Sequence, residues 1–326
     1  MVWRWEVTSD KHYKIKYFSP ESQNLSTIFW QINTLYFAQT VNLRSQIPDM
    51  YKILFITLAF FSIAACNNPD TNGGTTGTEA VNEPPRIGFS IVNTYAHDTS
   101  FFTEGLEFYN GQLFESSGSG TAGDEKPAYP SAFGILNLKT GKVDRKVELN
   151  NHDYFGEGIT FFDGKIYQLT WKNNIGFVYD ANTFKKLHEF HYTGEGWALT
   201  HDSSRLIMST GGSNLLFIDP KTLGDTLKVQ SLVGVTDNNG PVSNINELEF
   251  IDGYVFSNQW GTNYILKIDP NSGKVVGKLD LSPLAEEASK KFANSKEMNG
   301  IAYHPDTKTI YVTGKCWPTV YEIKLN

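Results

Sequence analysis

The chain is short of sulfur and short of charge. Its 326 residues include two cysteines, Cys66 and Cys316, and four methionines. Two cysteines exclude a disulfide framework, and no CxxC or Cys/His spacing offers a zinc site. Charged residues make up 19%, below the usual quarter, so an extended helical surface laced with ion pairs is not expected. The formal charge is −7 and Lys and Arg form no cluster. Nucleic acid is excluded as a partner on that ground, because phosphate binding needs a basic face. Helical periodicity is scarce as well, and 283–294 is the one stretch that shows it.

The apolar run at 53–65 is too short to cross a bilayer, which takes ~20 residues. After the basic start Met50-Tyr-Lys52 it fits the apolar region of an export signal. It ends in Ser62-Ile-Ala-Ala-Cys66, which resembles a bacterial lipobox with Cys66 as the lipidated residue. A core strand ending in a buried cysteine is the plainer reading. The polar stretch that follows, up to 85, has almost nothing to bury and disfavours it. The organisation expected is therefore a signal at 50–65, a flexible tether at 66–85 and one domain at 86–326. Residues 1–49 precede the signal and are expected to be an upstream extension from a mis-called start. The domain is then exported and held to the membrane of the cell envelope through Cys66.

What is abundant is aromatic residues, 14%, and glycine, 28 residues. Both suit many short strands joined by tight turns. One hairpin recurs: Glu104-Gly-Leu-Glu-Phe-Tyr-Asn-Gly-Gln-Leu-Phe, Glu157-Gly-Ile-Thr-Phe-Phe-Asp-Gly-Lys-Ile-Tyr and Asn246-Glu-Leu-Glu-Phe-Ile-Asp-Gly-Tyr-Val-Phe. Weaker copies begin at Trp197 and Asn299. Apolar residues alternate on either side of Asn-Gly or Asp-Gly, the dipeptides of a two-residue type I′ turn. Repeat starts at 104, 157, 197, 246 and 299 are spaced as four-stranded propeller blades. The fold predicted is an all-β, five-bladed β-propeller. A strand near 87–93 closes it by pairing with 319–325, and 283–294 forms a helical insertion before the last blade.

An ideal two-residue turn places Glu104 opposite Ser117, Glu157 opposite Thr170 and Asn246 opposite Gln259. Equivalent positions of the repeats then hold Glu104, Glu157, Trp197, Asn246 and Asn299 in one set. The second set holds Gly118, Trp171, Gly211, Trp260 and Lys315. Repeats built only for packing would carry similar apolar residues there. Carboxylate, amide, indole and ammonium instead ring one mouth of the central channel, which marks a site. On the residues alone, catalysis and ligand binding remain equally open.

The segments Phe102-Thr-Glu-Gly-Leu, Phe155-Gly-Glu-Gly-Ile-Thr and Gly194-Glu-Gly-Trp-Ala-Leu-Thr resemble the plant and bacterial glutaminyl cyclases, as do Asn246-Glu-Leu-Glu-Phe and Val312-Thr-Gly-Lys-Cys-Trp-Pro318. The resemblance spans 95–325 and touches every blade. It implies closure of an N-terminal glutamine to pyroglutamate with release of ammonia, without a metal or other cofactor. It implies catalytic roles for Glu157, Lys315 and Asn246, and a substrate pocket of Phe102, Glu104, Phe155, Trp171, Trp197, Trp260 and Asn299. Peptides or proteins beginning with glutamine are the expected partners, and a monomer the expected state. Glu104 stands where the family pattern usually has Gln. Two other readings stay in play, a ligand-binding lipoprotein without catalysis and a calcium-dependent lactonase-type hydrolase. The second would use Glu104, Glu157, Asn246 and Asn299 as metal ligands.

Three further motifs carry less. Gly118-Ser-Gly-Thr-Ala-Gly123 lacks the Lys-Ser/Thr ending of a phosphate loop. His188 and His191 point to opposite faces if they lie on a strand. Cys316 is expected to point away from the channel.

Overall fold

The computed structural model describes residues 83–119 and 127–326 in full, and two short strands nearer the N-terminus. Cys66, the signal and most of the tether lie outside the described residues. The chain divides into two compact units, 1–76 and 77–326. In the first, β1 (Trp3–Val7) pairs antiparallel with β2 (Tyr13–Tyr17).

The second unit is a ring of five four-stranded antiparallel sheets. Strand β3 (Phe89–Ala96) comes first in sequence but belongs to the last sheet. Blade one runs from the channel outward as β4 (Thr103–Tyr109), β5 (Gln112–Ser117), β6 (Ala132–Asn137) and β7 (Lys142–Glu148). Blade two repeats this with β8 (Phe155–Phe162), β9 (Lys165–Trp171), β10 (Ile175–Asp180) and β11 (Lys186–His191). Blade three is β12 (Ala198–His201), β13 (Leu206–Ser209), β14 (Asn214–Ile218) and β15 (Val229–Gly234). A small ribbon, β16 (Thr236–Asp237) with β17 (Gly240–Pro241), leads to blade four. That blade is β18 (Ile245–Ile251), β19 (Tyr254–Gln259), β20 (Tyr264–Ile268) and β21 (Val275–Asp280). Blade five is β22 (Met298–His304), β23 (Thr309–Gly314) and β24 (Thr319–Leu325), completed by β3.

The closure follows the sequence expectation: Thr319 pairs with Ala96, and Leu325 with Phe89. Joining the two ends of the domain in one sheet leaves no blade without its outer strand. The hairpin turns also agree. Asn110 and Gly111, Asp163 and Gly164, and Asp252 and Gly253 all have positive φ, which the type I′ turn requires. The turns between third and fourth strands are held by side chains. Asp180 accepts from the Asn182 and Thr183 amides, Asp219 from Lys221 and Asp269 from Asn271. Helix α1 (Ser282–Lys291) replaces the predicted 283–294 and stops three residues earlier. It buries Leu284 and Ala288 between blades four and five.

The core is five apolar layers, one in each gap between neighbouring blades. Phe114 and Phe133 meet Phe161 and Phe177 between blades one and two, for example. Leu106 and Leu136 meet Tyr311 and Val320 where blade five returns to blade one. The inner strands are buried on both faces, whereas the outer strands β3, β7, β11 and β15 are largely exposed.

Candidate active site

The predicted hairpin register fails at the site itself. Thr103, not Glu104, lies opposite Ser117; Gly156, not Glu157, lies opposite Thr170; Ile245, not Asn246, lies opposite Gln259. In blades one, two, four and five the inner strand shifts register at this point, between Thr103 and Gly105, Gly156 and Ile159, Ile245 and Leu248, and Met298 and Ile301. These are β-bulges, in which extra residues on one strand face a shortened stretch of its partner and re-aim their side chains. Glu104, Glu157, Asn246 and Asn299 are the bulged residues. Glycine follows in three of the four, where the next inner strand comes close. A Cβ on Gly158 would sit 2.6 Å from the Ala198 Cα.

Nine of the ten residues predicted for the site line one cavity of about 330 Å³: Phe102, Glu104, Phe155, Glu157, Trp171, Trp197, Asn246, Trp260 and Lys315. Asn299 is not on its wall. It is fully buried behind Glu104 and donates from Nδ2 to the Thr103 carbonyl at 3.0 Å and to Glu104 Oε2 at 3.3 Å. The two bare positions are explained by their neighbours. A Cβ on Gly118 would sit 2.1 Å from the Phe155 ring, and one on Gly211 2.5 Å from the Trp197 ring. Glycine there makes room for the aromatic wall.

That wall is continuous. Phe155 packs edge-on against Phe102 and Trp171, with centroids 6.2 and 5.5 Å away, and Trp197 packs edge-on against Trp260 at 6.0 Å. Glu195 joins the two halves, because its Oε2 accepts from the indole Nε1 of both Trp171 and Trp197 at 2.9 Å. Burial raises the Glu195 carboxyl, but the two indole donors and Lys172 outweigh it and hold it below its ordinary value. Sequence reasoning missed this residue although it lies inside the motif Gly194-Glu-Gly-Trp; the signal was a carboxylate two residues from a site tryptophan. Tyr129, also missed, stacks on Phe102 at 5.2 Å.

The polar floor is made by three ionisable groups. Lys315 Nζ is 2.7 Å from Glu104 Oε1 and 4.6 Å from the centre of the Phe102 ring. Both partners are almost wholly buried. Burial drives the Glu104 carboxyl up to about 7 against the pull of Lys315. Burial also lowers the Lys315 ammonium, yet the charges of Glu104 and Glu157 more than restore it. Glu157 is raised well above the usual carboxyl range, first by burial and then by the charge of Glu104. Among the described residues its carboxyl makes no hydrogen bond, and neither side-chain atom of Asn246 is bonded within the protein. Such groups are left for a ligand, since buried polar atoms otherwise find partners. Among the described residues no three His, Cys, Asp or Glu side chains are grouped to hold a metal ion. The place beside Glu104 that the lactonase reading gives to a cation is taken by the Lys315 ammonium.

A five-bladed propeller with an acid, an ammonium and an amide at the base of an aromatic cleft defines a small-molecule or chain-end binding enzyme site. The glutamine cyclotransferase family matches residues 59–325, and the chain belongs to it. It is 36% identical over 239 residues to the glutaminyl-peptide cyclotransferase of Arabidopsis thaliana, across 72% of this chain and 70% of that protein. It also resembles the crystal structure of Myxococcus xanthus glutaminyl cyclase, with a TM-score of 0.65 and 32% identity, over 75% of this chain and 99% of that one.

Proposed function

We propose that the protein converts the N-terminal glutamine of peptides and proteins to pyroglutamate, releasing ammonia, with Glu157 carrying the proton. The observation that supports this best is the buried Glu157 carboxyl, without a hydrogen bond among the described residues and facing the same cavity as the Lys315 ammonium. The reaction is intramolecular: the α-amine attacks the side-chain carboxamide carbon, and the carbon–nitrogen bond to the leaving ammonia breaks. Proximity comes with the substrate, so the protein must select the folded conformer, carry a proton and stabilise the oxyanion.

The aromatic wall suits the first task, holding the flat carboxamide and the emerging lactam ring. Glu157 suits the second. Burial, and then the charge of Glu104, hold its carboxyl well above the usual range, so it binds a proton more tightly than a free glutamate does. It gives that proton to the departing nitrogen and takes the one shed by the attacking amine, ending as it began. A free glutamate titrates near ~4.3 and an α-amine near ~8, so the upward shift brings donor and acceptor closer. Lys315 and the unbonded amide of Asn246 face the developing oxyanion, where a good donor contributes ~3 kcal/mol. The reading needs no metal, and the protein acts as a monomer.

Export and lipid attachment at Cys66 are part of the same proposal. Their support is the sequence at 50–66, with its basic start, apolar run and small residues before the cysteine. The test of function is incubation with a glutamine-initiated peptide, with and without a chelator, followed by mass. Loss of one ammonia that the chelator does not prevent is expected. An unchanged peptide contradicts the activity, and a reaction stopped by the chelator contradicts metal independence.

A further inference from the structure

Behind the cavity lies a second ionisable pair that the proposed chemistry does not use. His97 directly follows the closing strand β3, and Glu115 is in the second strand of blade one. Both side chains are wholly shielded from solvent. His97 Nδ1 is 2.7 Å from the Trp317 carbonyl oxygen, and Nε2 is 2.9 and 3.0 Å from the two Glu115 oxygens. Thr103 Oγ1 donates to Glu115 Oε1 at 2.7 Å. A carbonyl can only accept, so Nδ1 must carry hydrogen. A carboxylate that already accepts from Thr103 favours hydrogen on Nε2 as well.

The carbonyl held in this way belongs to the turn that presents Lys315. In that turn Cys316 has φ +58°, a left-handed backbone that a non-glycine residue keeps only when its surroundings impose it. Other bonds brace the same turn. Cys316 N donates to Phe101 O, Trp317 Nε1 to Lys296 O and Lys315 N to Glu297 O. His97 N donates to Pro318 O. The Trp317 ring covers Gly314 so closely that a Cβ there would sit 2.3 Å from it. Through Glu115 and the Trp317 carbonyl, the His97 side chain ties the turn to both blade one and the closing strand. Asp98 is the other acid that acts on it.

We propose that His97 is a positioning residue, a buried imidazolium braced by Glu115 that grips the Trp317 carbonyl and thereby fixes the Lys315 ammonium at the cavity. The proposal rests on the role given to Lys315 above. It also makes propeller closure and site assembly one event, because His97 reaches Trp317 only when β3 is docked on β24.

The test combines kinetics with one spectroscopic measurement on the unaltered protein. Glu115→Gln should lower kcat roughly tenfold to a hundredfold with KM nearly unchanged, since small misplacements of a reacting group cost that much. In a Lys315→Ala background the same change should cost nothing further, because both act through one group. A purely structural role would lower the melting temperature, leave kcat of the folded protein intact and cost the same in both backgrounds. Either result overturns the proposal. Nitrogen NMR of ¹⁵N-histidine-labelled protein should show both His97 ring nitrogens protonated at neutral pH, and a neutral ring overturns the proposal even if Glu115→Gln fails to fold. The underlying reading fails differently: Lys315→Ala would then keep full kcat, and the proposal would fall with it.

Discussion

Glu104 puts a carboxylate against the Lys315 ammonium at the base of the cleft, and the structure gives that choice of residue a physical meaning. An amide at this position could bond Lys315 but could not neutralise it. The carboxylate does both, and its charge is also the second cause of the high Glu157 pKa. Glu104→Gln removes a negative neighbour from Glu157, so the ionised form becomes easier to reach and the Glu157 pKa falls. It also removes the charge that holds Lys315 up. Both shifts have the same sign, and the kcat–pH profile should move to lower pH by about one unit. A superimposable profile would show that Glu104 is electrically silent. Trp171 and Trp197 show the same economy, since one carboxylate, Glu195, fixes two walls of the cleft.

At the scale of elements, the sequence reveals most of the fold and one essential detail stays hidden. Alternation and Asn-Gly or Asp-Gly turns mark the hairpins because period and turn chemistry are local properties. The closing strand was readable because five blades need a twentieth strand and only one segment remained. The bulges were not readable. A bulge is a backbone decision made between two strands, and the glycines of Phe155-Gly-Glu-Gly-Ile, which hint at one, do not say where the register shifts. The set of site residues still came out nearly whole, because repeat equivalence does not depend on register, whereas Asn299 was placed on the wall and in fact stands behind it. His97 and Glu115 were missed because they lie outside the repeated positions. The glycine after the bulge supplies the element's test. Gly158→Ala forces a Cβ to 2.6 Å from the Ala198 Cα and 3.0 Å from the Leu199 nitrogen. Overpacking of this kind costs ~1–3 kcal/mol, so denaturant unfolding should show that loss with activity falling alongside. Wild-type stability would mean that the blades are looser here than the geometry implies.

The propeller is a closed ring whose inner strands leave backbone amides facing the channel. Carboxyls from other blades satisfy several of them, Glu107 and Glu249 from the neighbouring blade and Glu247 from blade four to blade one. Glu107 accepts from Phe161 N, Glu249 from Tyr303 N at 2.8 Å, and Glu247 from Leu106 N at 3.1 Å. Burial drives Glu107 up to about 8; burial also raises Glu247 and Glu249 well above the ordinary value, helped by the charge of Glu249 on the first and of Glu107 on the second. A carboxyl whose folded pKa is raised binds its proton more tightly in the native state. The stability it contributes is complete below the unfolded value of 4.5 and is lost as pH climbs to the folded value, about 8 for Glu107. Unfolding free energy should therefore be larger near pH 5 than near pH 8, and Glu107→Gln should flatten part of the slope. Stability that rises across this interval would contradict the picture of a channel lined by neutral acids.

The proton is carried by one carboxyl, and single-residue kinetics reach it most directly. With a glutamine-initiated peptide, Glu157→Gln should lower kcat by ~10²–10⁴, the range of a lost general acid–base group, while KM and the melting temperature stay close to those of the parent protein. Turnover by Glu157→Gln at the parent rate would contradict the account.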